Sequence, residues 1–163
     1  MRNSGLFLTL AQIAVALVGF ITIISIFKHQ KAKWDETELA AIHFMFENSF
    51  GLLFFSILPV MFNSIDSYQE AVPWLNLFLS IYLLAVFIRN GLKFLKVKPA
   101  NNRVLILASL LPILIISLIE FCMYSLPFSS KTKISFYIGG LMLFLLTAII
   151  QFIIIFNRAS RIN

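Results

Sequence analysis

The chain has 163 residues; 60% are apolar, 18 are Phe and only 12% are charged, with a net charge of +6. Soluble domains carry about 25% charged residues, so roughly half the charge needed to wet a surface is present. The longest interval between apolar runs, residues 89–103, is 15 residues, well short of the roughly 40 that a stand-alone soluble domain needs, which excludes an extramembrane enzyme, a DNA-binding module and a secreted disulfide scaffold.

Five apolar runs follow one another, predicting spans at about 6–27, 40–62, 72–95, 103–125 and 134–156 within a single transmembrane domain, 1–163. Crossing a hydrocarbon core takes about 20 apolar residues. Lipid leaves only helices or a closed barrel, because backbone groups there must bond internally. Nothing alternates with the strand period of a barrel, so the fold class is all-α, a polytopic helix bundle. The first run is too long for a signal peptide and no small-residue cleavage site follows it, so it is expected to remain as a span.

The first span sets Gly5, Thr9, Gln12, Ala16, Gly19, Ile23 and Ile26 at alternating spacings of three and four. Small residues let helices approach closely, and Gln12 can hydrogen-bond across such a contact. This stripe is expected to be a packing seam, within the bundle or between subunits, with a pore lining as the alternative. In the second span His43 and Glu47 share a helical face, with Asn48 beside them. At 1.5 Å per residue Glu47 lies about 10 Å inside the membrane, counted from Ala40. A carboxylate there needs a partner or water: either a pairing with His43 or Gln151, or a place on an ion or proton pathway. Pro59 and Pro112 are expected to kink their helices.

The third and fourth spans carry Asn76, Ser80 and Tyr82, and Ser109, Ser117 and Glu120. Glu120 and Asn76 fall at comparable depth and are expected partners. On the fifth span Gly140, Thr147, Gln151 and Arg158 form one stripe, and Gly139 with Gly140 reads as close helix packing. The buried or pore-facing set is thus Gln12, His43, Glu47, Asn48, Glu120, Thr147 and Gln151.

Ten of the thirteen basic residues fall in 28–39, 89–103 and 157–163, which share one side if there are five spans. Lys and Arg in short loops mark the cytoplasmic side, so the N-terminus is expected outside and the C-terminus inside. Tyr68, Trp74, Tyr124 and Tyr137 would then form an outer aromatic belt, with Trp34 at the inner surface. Arg89, Lys93 and Lys96 lie on one face of a helix leaving the third span. With Lys98, Arg103, Arg158 and Arg161 they make a basic rim for anionic lipid, or for an anionic cytosolic ligand such as a nucleotide or nucleic acid, or for a cytosolic protein.

Cys122 is the sole cysteine, so neither an intrachain disulfide nor a cysteine-based metal site is possible. No cofactor or metal is expected; haem ligation by His29 and His43 is the weighed alternative. There is no Ser/His/Asp grouping, no H-E-x-x-H, no phosphate-cradling glycine loop and no potassium-filter run, so enzymatic activity is not expected. No internal repeat of the kind common in transporters is visible.

The run from Ala11 to Phe20, the following Trp34-Asp35-Glu36, the second span ending Phe54-Phe55-Ser56-Ile57-Leu58-Pro59, and Gln151-Phe152 together resemble small bacterial inner-membrane proteins of four or five spans. Size and span count are also similar to those of membrane effectors of anti-phage defence operons. The first likeness implies a multi-pass inner-membrane location, and the second a role in anti-phage defence. The lack of a soluble domain, the stripe on the first span and the ionisable residues within the spans lead to the expectation of a homo-oligomeric channel or membrane-disrupting effector gated at its basic face. The alternatives are a non-conducting scaffold or partner subunit, and a small proton-coupled transporter.

Overall fold

The computed structural model describes the backbone over residues 4–29, 36–63, 68–96 and 103–159, with side chains over 4–26, 39, 42–62, 70–92, 111–153 and 156. It is all-helical: α1 (Ser4–His29), α2 (Glu36–Asn63), α3 (Tyr68–Lys96), α4 (Arg103–Ser125) and α5 (Ser130–Ala159). Each helix covers its apolar run, and four of them extend past it by a few residues. Backbone hydrogen bonding continues until a cap or breaker stops it, whatever the side chains' polarity. α5 illustrates this. Ser129 caps it, its Oγ accepting from the Thr132 amide at 3.2 Å, while Pro127 follows the end of α4 in the short connection. α2 and α4 run on through Pro59 and Pro112.

Four stretches are long and apolar enough to cross a membrane: Ser4–Ile26, Ile42–Phe62, Glu70–Leu92 and Ser130–Ile153. In α4 the apolar stretch among the described residues is shorter, Leu111–Ser125. The interior is mostly apolar but holds polar side chains, and the exterior is apolar as well. Phe54 is 59% exposed, and Phe78, Ile81, Leu111, Leu118 and Leu146 also face outward, while Asn48, Asn76, Ser80, Ser117 and Glu120 are buried. So much apolar exterior fits helices that are long and apolar enough to cross a membrane.

The chain forms two compact units, Met1–Met61 with Phe144–Asn163, and Phe62–Leu143. In the first, Ile21, Ile42, Met45 and Ala148 form a core against which Leu17, Ile24, Phe46 and Phe152 pack. Rings extend it: Phe55 stacks on Phe144 at 6.5 Å, and Phe20 meets Phe152 at 6.1 Å. The α1 face turned into this core carries Phe7, Leu10, Ala11, Ala14 and Ile21. The stripe of small and polar residues from Gly5 to Ile26 is exposed. It is therefore not a seam within the unit: the bulkier face offers more van der Waals contact, which is what drives helix packing in lipid.

In the second unit α3 and α4 pack along each other, and the first half of α5 joins them. Ser80 pairs with Ser117 and Trp74 with Tyr124, so residue numbers rise on one helix as they fall on the other. The two helices are antiparallel. Trp74 and Tyr124 hold their rings 5.6 Å apart. Tyr137, expected with them in an aromatic belt, is enclosed instead, because it lies on the α5 face that also carries Gly140 and Leu141. Tyr68 and Trp34 lie outside the residues whose side chains are described.

Neighbours on α3 separate packing from surface. Leu83 is 0% exposed and Leu84 40%. Truncating a buried leucine leaves a cavity, so Leu83→Ala should cost about 2 kcal/mol or more. Leu84→Ala should cost less than about 0.5 kcal/mol, because lipid replaces the lost contacts. Reversible unfolding in mixed micelles measures both.

Candidate functional site

The second unit holds a polar seam where three helices meet. At its base Ser80 Oγ donates to the Ser117 carbonyl at 2.9 Å, and Ser117 Oγ donates to the Ser80 carbonyl at 3.0 Å. A reciprocal bond of this kind requires two helix backbones in close approach, which serine, being small, allows. It also sets the register. Asn76 lies one helical turn from Ser80 and Glu120 about one turn from Ser117, both displaced toward the Trp74–Tyr124 contact. Antiparallel packing therefore brings Asn76 and Glu120 to the same level on adjoining helices, as their depths predict.

Glu120 is 0% exposed, and neither of its carboxylate oxygens accepts a hydrogen bond from any described residue. Asn76 is likewise 0% exposed. Its Nδ2 donates to the Val72 carbonyl at 2.8 Å, leaving Oδ1 without a donor. Only the amide nitrogen can donate to a carbonyl, so the orientation of this side chain is decided. The pair thus leaves three acceptor oxygens without a donor, while Asn76 Nδ2 keeps a second hydrogen beyond the one given to Val72.

α5 closes the third side through Gly140. A Cβ at this position would stand 2.8 Å from Leu79 Cδ2, 3.0 Å from Glu120 Oε1 and 3.6 Å from Ile116 Cγ2. Glycine is what lets α5 lie against the carboxylate. Gly139, its neighbour, has nothing within 4 Å of such an atom, so of the two glycines expected in close packing only Gly140 is used for it. Lys133 is buried nearer the start of α5, but it precedes Gly140 by about 10 Å of helix. Counted from Glu70 on α3 and Ser130 on α5, the site lies about 9 to 15 Å inside the apolar stretches.

The other expected site residues divide. In the first unit Asn48 and Thr147 are buried. Asn48 Nδ2 donates to the Phe44 carbonyl at 2.9 Å and Thr147 Oγ1 to the Phe144 carbonyl at 3.0 Å. Glu47 and Gln151 are half-buried, whereas Gln12 and His43 are exposed; those two are not interior groups of the chain, because each lies on a helix face turned away from the unit's core. Ser49 and Ser56, absent from the expected set, are buried on α2 with no partner for either hydroxyl. They sit seven residues apart with Leu52 between, a spacing that could have revealed them. Among the described residues no group of three or more His, Cys, Asp or Glu is placed to hold a metal.

Of the basic rim, Arg89 is exposed on α3, and the α3 backbone continues as one helix through Lys93 to Lys96. The side chains of Lys93, Lys96, Arg103 and Arg158, and all of Lys98 and Arg161, lie outside the described residues, as does the side chain of His29. No protein-family model matches the chain, and neither a curated protein nor a solved structure matches it.

Each serine hydroxyl in the clamp bonds the other residue's backbone rather than its side chain, so the two bonds are independent. Ser80→Ala and Ser117→Ala should each cost about 0.6 kcal/mol, and at most about 1.7. The double variant should cost their sum. A reversible unfolding cycle gives the three values, and strong non-additivity would mean that the helices shift on loss of either bond.

Proposed function

We propose that this chain is a multi-pass membrane protein that moves small ions across the bilayer through the polar interior of its helices. The observation carrying this reading is Glu120, enclosed with Asn76 between helices whose outer surfaces are apolar. An ionisable residue held in a span is expensive to keep, and such residues mark ion and proton pathways. In this reading α4 crosses the membrane with the other four helices, the N-terminus lies outside and the C-terminus is cytoplasmic. The ten-to-three division of cations supports that orientation. The membrane is then a plasma membrane, and the basic rim faces anionic lipid or a cytosolic anion.

A second observation favours assembly of several copies. Gln12 stands on the exposed stripe of α1, where its amide would face lipid in a single chain. A carboxamide both donates and accepts, so the same stripe on another copy can satisfy it.

Purified protein in liposomes, under an imposed gradient of protons or alkali cations, should dissipate that gradient faster than empty liposomes. Absence of flux for all of them would sink the transport reading. Orientation is checked separately with Phe128→Cys in a Cys122→Ser background: a membrane-impermeant maleimide should label it in intact cells. Labelling only after permeabilisation would invert the topology. For assembly, the wild type should exceed monomer mass in mild detergent, with Gln12→Leu shifted toward monomer.

A further inference from the structure

The unpaired oxygens of the seam point to what occupies it. Glu120 Oε1 and Oε2 and Asn76 Oδ1 have no donor, and a wholly buried polar group without a partner is costly. The two serine hydroxyls at the next turn spend their hydrogens on carbonyls, so their remaining capacity is also as acceptors. A neutral donor would satisfy an acceptor oxygen, but a carboxylate sealed in the membrane interior also needs its charge balanced by a positive one. A lysine does not supply it: Lys133 is a full two turns of α5 away. Of the other groups on the adjoining helices, Tyr137 lies three residues from Gly140 and Tyr82 six from Asn76. Both would offer a neutral hydroxyl, not a cation. α5 stands close to the carboxylate, since a Cβ on Gly140 would come 2.8 Å from Leu79 Cδ2 and 3.0 Å from Glu120 Oε1. Glu120 is closed to bulk water, so an ion held there has shed its own.

We infer that Glu120 and Asn76, closed over by Gly140, bind one unhydrated monovalent cation, either a proton or Na+. A single positive charge neutralises the carboxylate and satisfies Asn76 Oδ1. A proton does so by residing on one Glu120 oxygen and bonding to the amide oxygen; Na+ does so by direct coordination to carboxylate and amide oxygens. The site remains net neutral in either case, which is the condition for keeping a carboxylate in the membrane interior. This deepens the ion-moving reading by naming the ion's resting place, yet binding is measured without flux.

Two measurements on the purified full chain distinguish the sources. Infrared spectroscopy at neutral pH shows a protonated-carboxyl C=O band, removed in Glu120→Gln, if the occupant is a proton. If it is Na+, the melting temperature rises with NaCl but not with choline chloride at equal ionic strength, and Glu120→Gln abolishes the rise. Finding neither signal in the wild type, or either one undiminished in Glu120→Gln, overturns the assignment. A second pair of variants leaves every ligand in place. Gly140→Ala pushes the carboxylate aside and should move the band or raise the NaCl concentration needed by at least tenfold, whereas Gly139→Ala should do neither. If both glycine variants behave as wild type, the ion is not held at this junction and the proposal fails. Binding without flux would keep the site and end the transport reading; flux unchanged in Glu120→Gln would do the reverse.

Discussion

Hydrocarbon offers no hydrogen bonds, and the second unit is organised around that constraint. Every donor and acceptor drawn into the bilayer needs a partner within the protein. Several polar side chains find a partner locally: Thr9, Thr22, Asn48, Asn76 and Thr147 each donate to a carbonyl three or four residues earlier. Such bonds cost the fold nothing in architecture, because they are made within one helix. Ser80 and Ser117 are different. Their bonds cross from α3 to α4, so they fix both how closely the helices approach and which residues stand opposite each other.

From that clamp the rest of the site follows. One turn away, the shared register brings the Asn76 amide to the level of the Glu120 carboxylate. Close approach of α3 and α4 leaves a groove over Leu79 and Glu120 into which α5 can settle only through a residue lacking a side chain, and Gly140 is there. The outcome is a carboxylate at 0% exposure whose two oxygens accept no hydrogen bond from any described residue. Attraction in such surroundings is screened far less than in water, so one small cation can be held firmly. An extra methyl group changes the geometry.

The helices were legible in the sequence to within a few residues, because apolar run length is a direct consequence of bilayer thickness. The shared level of Asn76 and Glu120 was legible too, since depth along each span can be counted from its ends, but the expected partnership was not: Asn76 donates to Val72 and no hydrogen bond joins it to Glu120. The stripe on α1 was legible as a stripe but not in its direction. Small residues at helical spacing promise close approach without saying to what, and here the opposite face, with Phe7, Leu10 and Ile21, is the one packed. Gln12 and His43 followed the same ambiguity to the surface. Ser49 and Ser56 escaped notice because serine inside an apolar run carries little signal of its own. Tyr137 misled for the opposite reason: an aromatic near a span end fits an interfacial belt and a buried packing position equally well.

By itself the sequence determined that the chain is helical, with runs long and apolar enough to cross a membrane, since 60% of its residues are apolar and they cluster in stretches of span length. It also determined the uneven distribution of its cations, because charge in loops is read directly. What it left open was which of several intramembrane polar residues matter together. That is a question of azimuth and register, which depend on how one helix is rotated and slid against another. Only the tertiary structure decided it. Two interhelical serine bonds and one glycine set Glu120 apart from Glu47: the first is sealed at 0% exposure, the second only half-buried.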